Sequence, residues 1–243
     1  MESVLQLHQL IASDSGCCTY VIGSDSTKEF LIVDPLMDIE RFLHKVNEKG
    51  GRVVGVVDTH IHADHLSGSR EIQRVTGCPI FMHHSSPVSF QIDHLDEKEY
   101  DLAGLKIRVI HTPGHAYEHI CLFTEGRLLT GDCLLVGDVG RIDLGRGEAE
   151  RLYDSLYTKL LALDDEVEVL PGHVGGKHYV SGGKSSTIGI ERRTNPALQA
   201  KSKREFLEYM SEGWPPKPDR YELFVKVNSG EFDLDHAQQL AKP

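Results

Sequence analysis

The run Thr59-His60-Ile61-His62-Ala63-Asp64-His65 decides how the rest of this chain is read. It follows a compact β-branched stretch, 53–57, that reads as a buried strand. Three histidines and an aspartate then fall within six residues. Imidazole suits zinc, iron and other transition metals, and a carboxylate adds a hard anionic donor. A lone histidine in such a loop reads as a solvated polar residue. Four candidate ligands at this spacing read as donors turned toward a common cation.

The same device recurs downstream. Residues 106–110 read as a strand that runs into Thr112-Pro113-Gly114-His115. Residues 119–123 and 127–129 read as a hairpin ending at Gly131-Asp132. Residues 167–170 read as a strand ending in Pro171-Gly172-His173. Each time an apolar strand stops and a histidine or aspartate follows in a loop containing Gly or Pro. Polar groups on loops fixed by a rigid sheet are a common way to build a catalytic site.

Around these motifs, 18–22 and 30–33 read as strands flanking a turn. Residues 38–49 read as a helix with Asp38 as N-cap, a stripe of Ile39, Phe42, Leu43 and Val46, and Gly50-Gly51 as its stop. A second helix is expected over 67–76, a strand over 79–82, and little regular structure over 84–101. An amphipathic helix is expected over about 148–163, a Gly/Ser/Lys-rich loop over 175–186 and a helix over 197–211. Phe206, Leu207 and Met210 form that helix's apolar stripe; it packs on the core or, as the alternative, forms a homodimer surface. Beyond Trp214 the run Pro215-Pro216-Lys217-Pro218 leads into the rest of a helical or extended appendage, about 197–243. No internal repeat or domain boundary stands out, so 1–243 is expected to be a single domain.

Composition narrows the function classes. The chain has 243 residues, 40% hydrophobic and 26% charged, which fits an ordered globular protein. A net charge of −11 speaks against nucleic-acid or anionic-membrane binding. Five cysteines, an odd number without a Cys-x-x-Cys pair, indicate no disulfide framework and point to a reducing cytoplasm. Met1-Glu2-Ser3 does not open a signal peptide, and no apolar run approaches the ~20 residues that span a bilayer. Cys17, Cys18 and Cys133 read as buried packing residues, and His83-His84 as surface or core packing without ligand partners. Gly182-Gly183-Lys184-Ser185 lacks the earlier glycine of a phosphate loop, since His178 stands there; it reads instead as a lid near the metal.

Taken together, T-H-x-H-x-D-H followed by G-H, G-D and G-H resembles the metallo-β-lactamase superfamily over about residues 15–200. That resemblance implies an α/β fold, a four-layer αβ/βα sandwich with the metal site at one edge of its two sheets. It also implies two possible metal sites, His60, His62 and His115 in one and Asp64, His65 and His173 in the other, with Asp132 between them. Class B lactamases place a cysteine or serine where Asp132 stands, which speaks against lactamase activity. The absence of a large inserted domain and the acidic charge speak against a nuclease.

Two subfamilies compete, the two-metal glyoxalase II thioester hydrolases and the persulfide dioxygenases with a single Fe(II). The segment Gly131-Asp132-Cys133-Leu134-Leu135-Val136-Gly137-Asp138-Val139-Gly140-Arg141-Ile142-Asp143-Leu144 is similar to the persulfide dioxygenase pattern G-D-x-L-L-I-x-x-x-G-R-x-D. Ser186-Thr187-Ile188-Gly189-Ile190-Glu191-Arg192-Arg193-Thr194-Asn195-Pro196 also resembles bacterial members of that group. The resemblance implies Fe(II), one per chain, on His60, His115 and Asp132, with two zinc ions as the alternative. His62, Asp64, His65 and His173 would orient those ligands, Asp64 and His65 having catalytic roles. Arg141 would grip a carboxylate of the thiol carrier or, equally, pair with Asp138 or Asp143. The implied reaction takes a thiol persulfide, such as glutathione persulfide, and O2 to sulfite and thiol. No rhodanese domain fits in the remaining tail, so a rhodanese partner is expected to be a separate protein.

Overall fold

The computed structural model describes residues 4–174, 183–211 and 213–233. Two six-stranded sheets dominate it. The first runs in the order β1 (Leu5–Ile11), β2 (Cys18–Ser24), β3 (Glu29–Val33), β4 (Arg52–Val57), β5 (Ile80–Met82) and β6 (Asp93–His94). The second carries β7 (Glu99–Leu102), β8 (Leu105–His111), β9 (Ile120–Thr124) and β10 (Arg127–Gly131). Strands β11 (Leu134–Leu135) and β12 (Asp138–Val139) form a small ribbon, and β13 (Glu168–Pro171) and β14 (Ser186–Thr187) complete the second sheet, in the order β14-β13-β10-β9-β8-β7.

Side-chain alternation produces the layers. In β2 and β3, Tyr20, Ile22, Leu31 and Val33 turn inward, while Val21, Phe30 and Ile32 turn outward. In the second sheet Ile107, Val109, Leu122, Leu129 and Leu170 turn toward the same inner core, and Ile110, Cys121, Leu128 and Val169 face the other way. Both sheets are therefore covered on both faces. Helices α1 (Ile39–Glu48) and α2 (Ser69–Thr76) cover the first sheet with Ile39, Phe42, Val46 and Ile72. Helix α3 (Ala149–Asp154) and its π-helical continuation Ser155–Leu160 cover the second, with α4 (Ile188–Thr194) and α5 (Lys203–Met210) beside them. The result is the expected four-layer αβ/βα sandwich.

Several elements depart from expectation. Asp38 stands at the N-cap of α1, but its side chain makes no capping bond. The polar stretch 84–101 contains β6 and β7, the latter paired antiparallel with β8. The helix expected over 148–163 changes to π geometry at Ser155. The helix expected over 197–211 is a 3-10 turn, Pro196–Gln199, followed by α5. Ser202 caps α5 by accepting from Glu205 N, a pair of residues that signals a helix start in sequence. Strand β1 and helix α4 were not anticipated, and a last helix α6 (Tyr221–Asn228) falls in the expected helical or extended appendage. Of the glycine-rich loop, 175–182 lie outside the described residues, and with them Gly182 of the expected lid. Among the described residues no helix is long and apolar enough to cross a membrane.

Helix α5 belongs to the core. Phe206 is fully buried and meets the edges of Tyr153 and Tyr157 at 5.5 and 6.1 Å between ring centroids. Its partner Met210 is buried in the same cluster, so the apolar stripe is used in packing on the sheet layer. Phe206→Ala is expected to destabilise the protein by about 3–5 kcal/mol, read as a lower urea midpoint with unchanged slope.

Candidate metal centre

Strands β8, β10 and β13 point the same way, because β9 is antiparallel to both β8 and β10 and β13 is parallel to β10. Their C-terminal ends, together with that of β4, present the four motifs at one edge of the sandwich. The loop after β4 is held by buried acidic groups. Asp34, at the end of β3 with φ of 50°, accepts from Thr59 N at 2.7 Å and Thr59 Oγ1 at 2.9 Å. Asp58 accepts from Ser67 Oγ at 2.9 Å. Glu118, fully buried, accepts from Ile61 N at 3.0 Å and pairs with Arg146 at 2.6 Å. Asn228, the last residue of α6, accepts from Ser67 N at 2.9 Å and donates to the carbonyls of His62 and His65, both at 2.8 Å.

These partners fix the imidazole tautomers. The hydroxyl proton of Thr59 goes to Asp34, so its oxygen accepts from His60 Nδ1–H at 2.9 Å. His60 Nε2 is left with its lone pair, buried and without a hydrogen-bond partner. His115 Nδ1–H donates to the Arg141 carbonyl at 2.7 Å, and its Nε2 lies 3.8 Å from Asp132 Oδ2. Burial, then the neighbouring His62, His115 and His119, hold His60 well below its ordinary pKa, so it is neutral. One donor atom each from His60, His115 and Asp132 lies within 4.8 Å of the others. A buried lone pair without a proton donor, beside a second imidazole and a carboxylate, fits a cation.

The remaining predicted donors form a neighbouring set. His62 donates through Nε2 to Asp34 Oδ1 at 3.2 Å, its buried Nδ1 has no hydrogen-bond partner, and it groups with Asp64 and His65 rather than with the first three. His173 bridges two carboxylates, Nδ1 to Asp132 Oδ1 at 2.8 Å and Nε2 to Asp64 Oδ2 at 2.6 Å. Burial pushes Asp132 upward, but the charge and hydrogen bond of His173 outweigh it and hold the carboxyl low. Cys17, expected as packing, instead lies 3.3 Å from both Asp64 Oδ2 and His173 Nε2. Cys133 is a fully buried core residue, as expected.

Two features of the site escaped sequence reading. His119 accepts from Asp132 N at 3.1 Å through Nε2 and faces Thr112 Oγ1 at 2.8 Å through Nδ1. Burial, then His115, push its pKa down to about 3, so a neutral ring positions the aspartate backbone. Gly172 explains the glycine before His173: a Cβ there would sit 2.4 Å from Asp132 Oδ1. Elsewhere, Asp96 joins His83 and His84, which were expected to lack partners, with its Oδ1 2.6 Å from His84 Nδ1.

Arg141 is buried at the wall of a cleft beside the donors. Its guanidinium takes the ion-pair alternative, a two-point bond to Asp143 at 2.7 and 2.8 Å, and donates to the carbonyls of Pro215 and Pro216. The proline run is thereby strapped over the site. Apolar Ala63, Leu144 and Pro218 line the cleft opposite Asp64, His115, Asp132 and His173.

Residues 14–173 match the model of the family described as the metallo-beta-lactamase superfamily. The chain belongs to the metallo-beta-lactamase superfamily. Among its relatives in this superfamily is the mitochondrial persulfide dioxygenase ETHE1 of Bos taurus, 31% identical over 228 residues, covering 91% of this chain and 87% of the relative. The hydroxyacylglutathione hydrolase GloC of Haemophilus influenzae is 30% identical over 202 residues, covering 73% of this chain and 91% of the relative. The crystal structure of ETHE1 from Myxococcus xanthus superposes with a TM-score of 0.86 at 32% identity, covering 93% of this chain and all of that one. Metal binding is general in the metallo-beta-lactamase superfamily, and His/Asp donors for it converge here.

The Asn228 clamp gives a direct test of how the motif loop is held. Asn228→Ala leaves one N–H and two carbonyls of the loop without partners. The expected cost is about 1–3 kcal/mol, measured as urea unfolding of metal-free protein, so that lost metal does not contribute.

Proposed function

We propose that this protein is a non-haem Fe(II) persulfide dioxygenase, with one iron held by His60, His115 and Asp132. The observation that carries the reading is the two-imidazole, one-carboxylate group, in which both imidazoles keep Nε2 free because Nδ1–H is committed to Thr59 or Arg141. Such a facial set leaves open coordination positions. The similarity to ETHE1 persulfide dioxygenases over nine-tenths of the chain supports the same reading.

Bound there, Fe(II) supplies a point at which a persulfide sulfur and dioxygen are brought together. The chain's own residues do the rest. His173 holds Asp132 through Oδ1 and leaves Oδ2 toward His115. His119 fixes the backbone of the same aspartate. Ala63, Leu144 and Pro218 give the cleft a partly apolar lining beside the donors. Asp64 meets His173 Nε2 at 2.6 Å beside the cleft, on the side of the ring away from Asp132. The balanced reaction takes R–S–SH, O2 and water to R–SH and sulfurous acid, which ionises to sulfite. Helices α5 and α6, packed on the core and on the motif loop, support treating 1–243 as one domain.

Protein purified without air exposure and loaded with Fe(II) is expected to hold one iron per chain and to take up oxygen when glutathione persulfide is added. Asp132→Ala is expected to lose both iron and uptake, while far-ultraviolet circular dichroism stays unchanged. Two bound zinc ions with hydrolysis of a glutathione thioester, and no oxygen uptake by iron-loaded protein, would instead establish the hydrolase activity named for the GloC relative.

A further inference from the structure

The set of donors beside the triad contains a sulfur atom. We propose that the Cys17 thiol joins the second cation site that the resemblance implies on Asp64, His65 and His173, and that it makes the site selective for a thiophilic divalent ion such as zinc over Fe(II). This goes beyond the one-iron reading and does not depend on it. The family resemblance supplies Asp64, His65 and His173; the thiol comes from the geometry of this chain.

A tetrahedral zinc with bonds of ~2.3 Å to sulfur and ~2.0–2.1 Å to nitrogen or oxygen sets its ligands about 3.3–3.6 Å apart. Cys17 Sγ already lies 3.3 Å from Asp64 Oδ2 and 3.3 Å from His173 Nε2. The third edge, His173 Nε2 to Asp64 Oδ2 at 2.6 Å, is a hydrogen bond that opens when an ion replaces the shared proton. His65 stands beside these three, next to Asp64. Its ring is set by Nδ1 against Asp64 Oδ1 at 3.2 Å, and its buried Nε2 has no hydrogen-bond partner.

The position of the thiol is built into the backbone. Cys17 and His173 form an isolated antiparallel bridge. On either side of it Cys18 N donates to Gly172 O at 2.8 Å and Val174 N to Gly16 O at 2.9 Å. The two ligands are thus clipped across from each other before any ion arrives. Asp64 and His65 also line an open groove together with Ser13, Ser15 and Arg41. With His173 ligating through Nε2, its Nδ1–H stays on Asp132, the arrangement in which a carboxylate orients a metal-bound histidine. Thiolate ligands favour zinc and other soft ions, whereas nitrogen and carboxylate donors alone do not exclude iron.

Metal-free protein titrated anaerobically with Co(II) tests this. Wild type is expected to develop a near-ultraviolet thiolate-to-cobalt charge-transfer band that is complete by two equivalents of cobalt. Cys17→Ser and Cys17→Ala are expected to lose that band while keeping the visible absorption of cobalt on His60, His115 and Asp132. Zinc affinity at one of two sites should fall on the order of 10–100-fold in Cys17→Ala. Zinc absorption-edge fine structure on wild type needs no variant and should show sulfur at ~2.3 Å. A band undiminished in Cys17→Ser, a chain that binds a single zinc, or two zincs with only nitrogen and oxygen neighbours would overturn the proposal. The sulfur signal is independent of oxygen uptake, so failure of this site and failure of the dioxygenase reading are read separately.

Discussion

Every donor at the sheet edge depends on one constraint: the nitrogen of each histidine that faces away from the cation must be occupied. A buried imidazole with both nitrogens free could present either tautomer, and half of the arrangements would aim a proton at the metal. Thr59, Asp34 and the Arg141 carbonyl remove that choice for His60, His62 and His115. The constraint then passes outward. Thr59 can accept from His60 only because Asp34 takes its proton, and Asp34 stands there because β3 ends in a left-handed turn beside β4.

The sandwich serves this arrangement by rigidity. Covering both faces of each sheet leaves the strand ends as the place where polar groups can gather without disturbing a packed layer. Burying so many ionisable groups is costly unless each has a partner. Here the carboxylates are divided among distinct tasks. Asp34 and Glu118 hold backbone and histidines, Asp58 holds the start of α2 through Ser67 and Ser69, and Asp64 and Asp132 share His173. Removing any one would leave a buried donor or charge uncompensated.

Much of this was legible in the sequence because ligand motifs are local. Each strand-then-His or strand-then-Asp signal lies within about seven residues, and the four layers followed from the family resemblance that those motifs carry. What was not legible depends on contacts distant in sequence. Asn228 reaches the motif loop from 163 residues away, and nothing around it marks a functional residue. His119 read as the first residue of a hairpin strand, and its role appears only when β9 brings it under Asp132. Cys17 lies 156 residues from His173, and a buried cysteine is by default a small apolar filler. The Arg141 ambiguity had the same origin: Asp143 was visible two residues on, but the Pro215 and Pro216 carbonyls were not.

Asp132 links the two donor sets. One of its oxygens faces His115 and the other is bonded to His173, which in turn meets Asp64 and Cys17. Any change in what His173 binds through Nε2 is felt by Asp132 through Nδ1, across a single imidazole ring. The strength of the carboxylate as a donor to the first set is therefore set partly by the second. A substitution at Cys17 does not touch the three converging donors, yet it alters the partner of the histidine that orients one of them. The motif supplies the donors, and the residues one contact behind them decide which of those donors hold an ion and which hold each other.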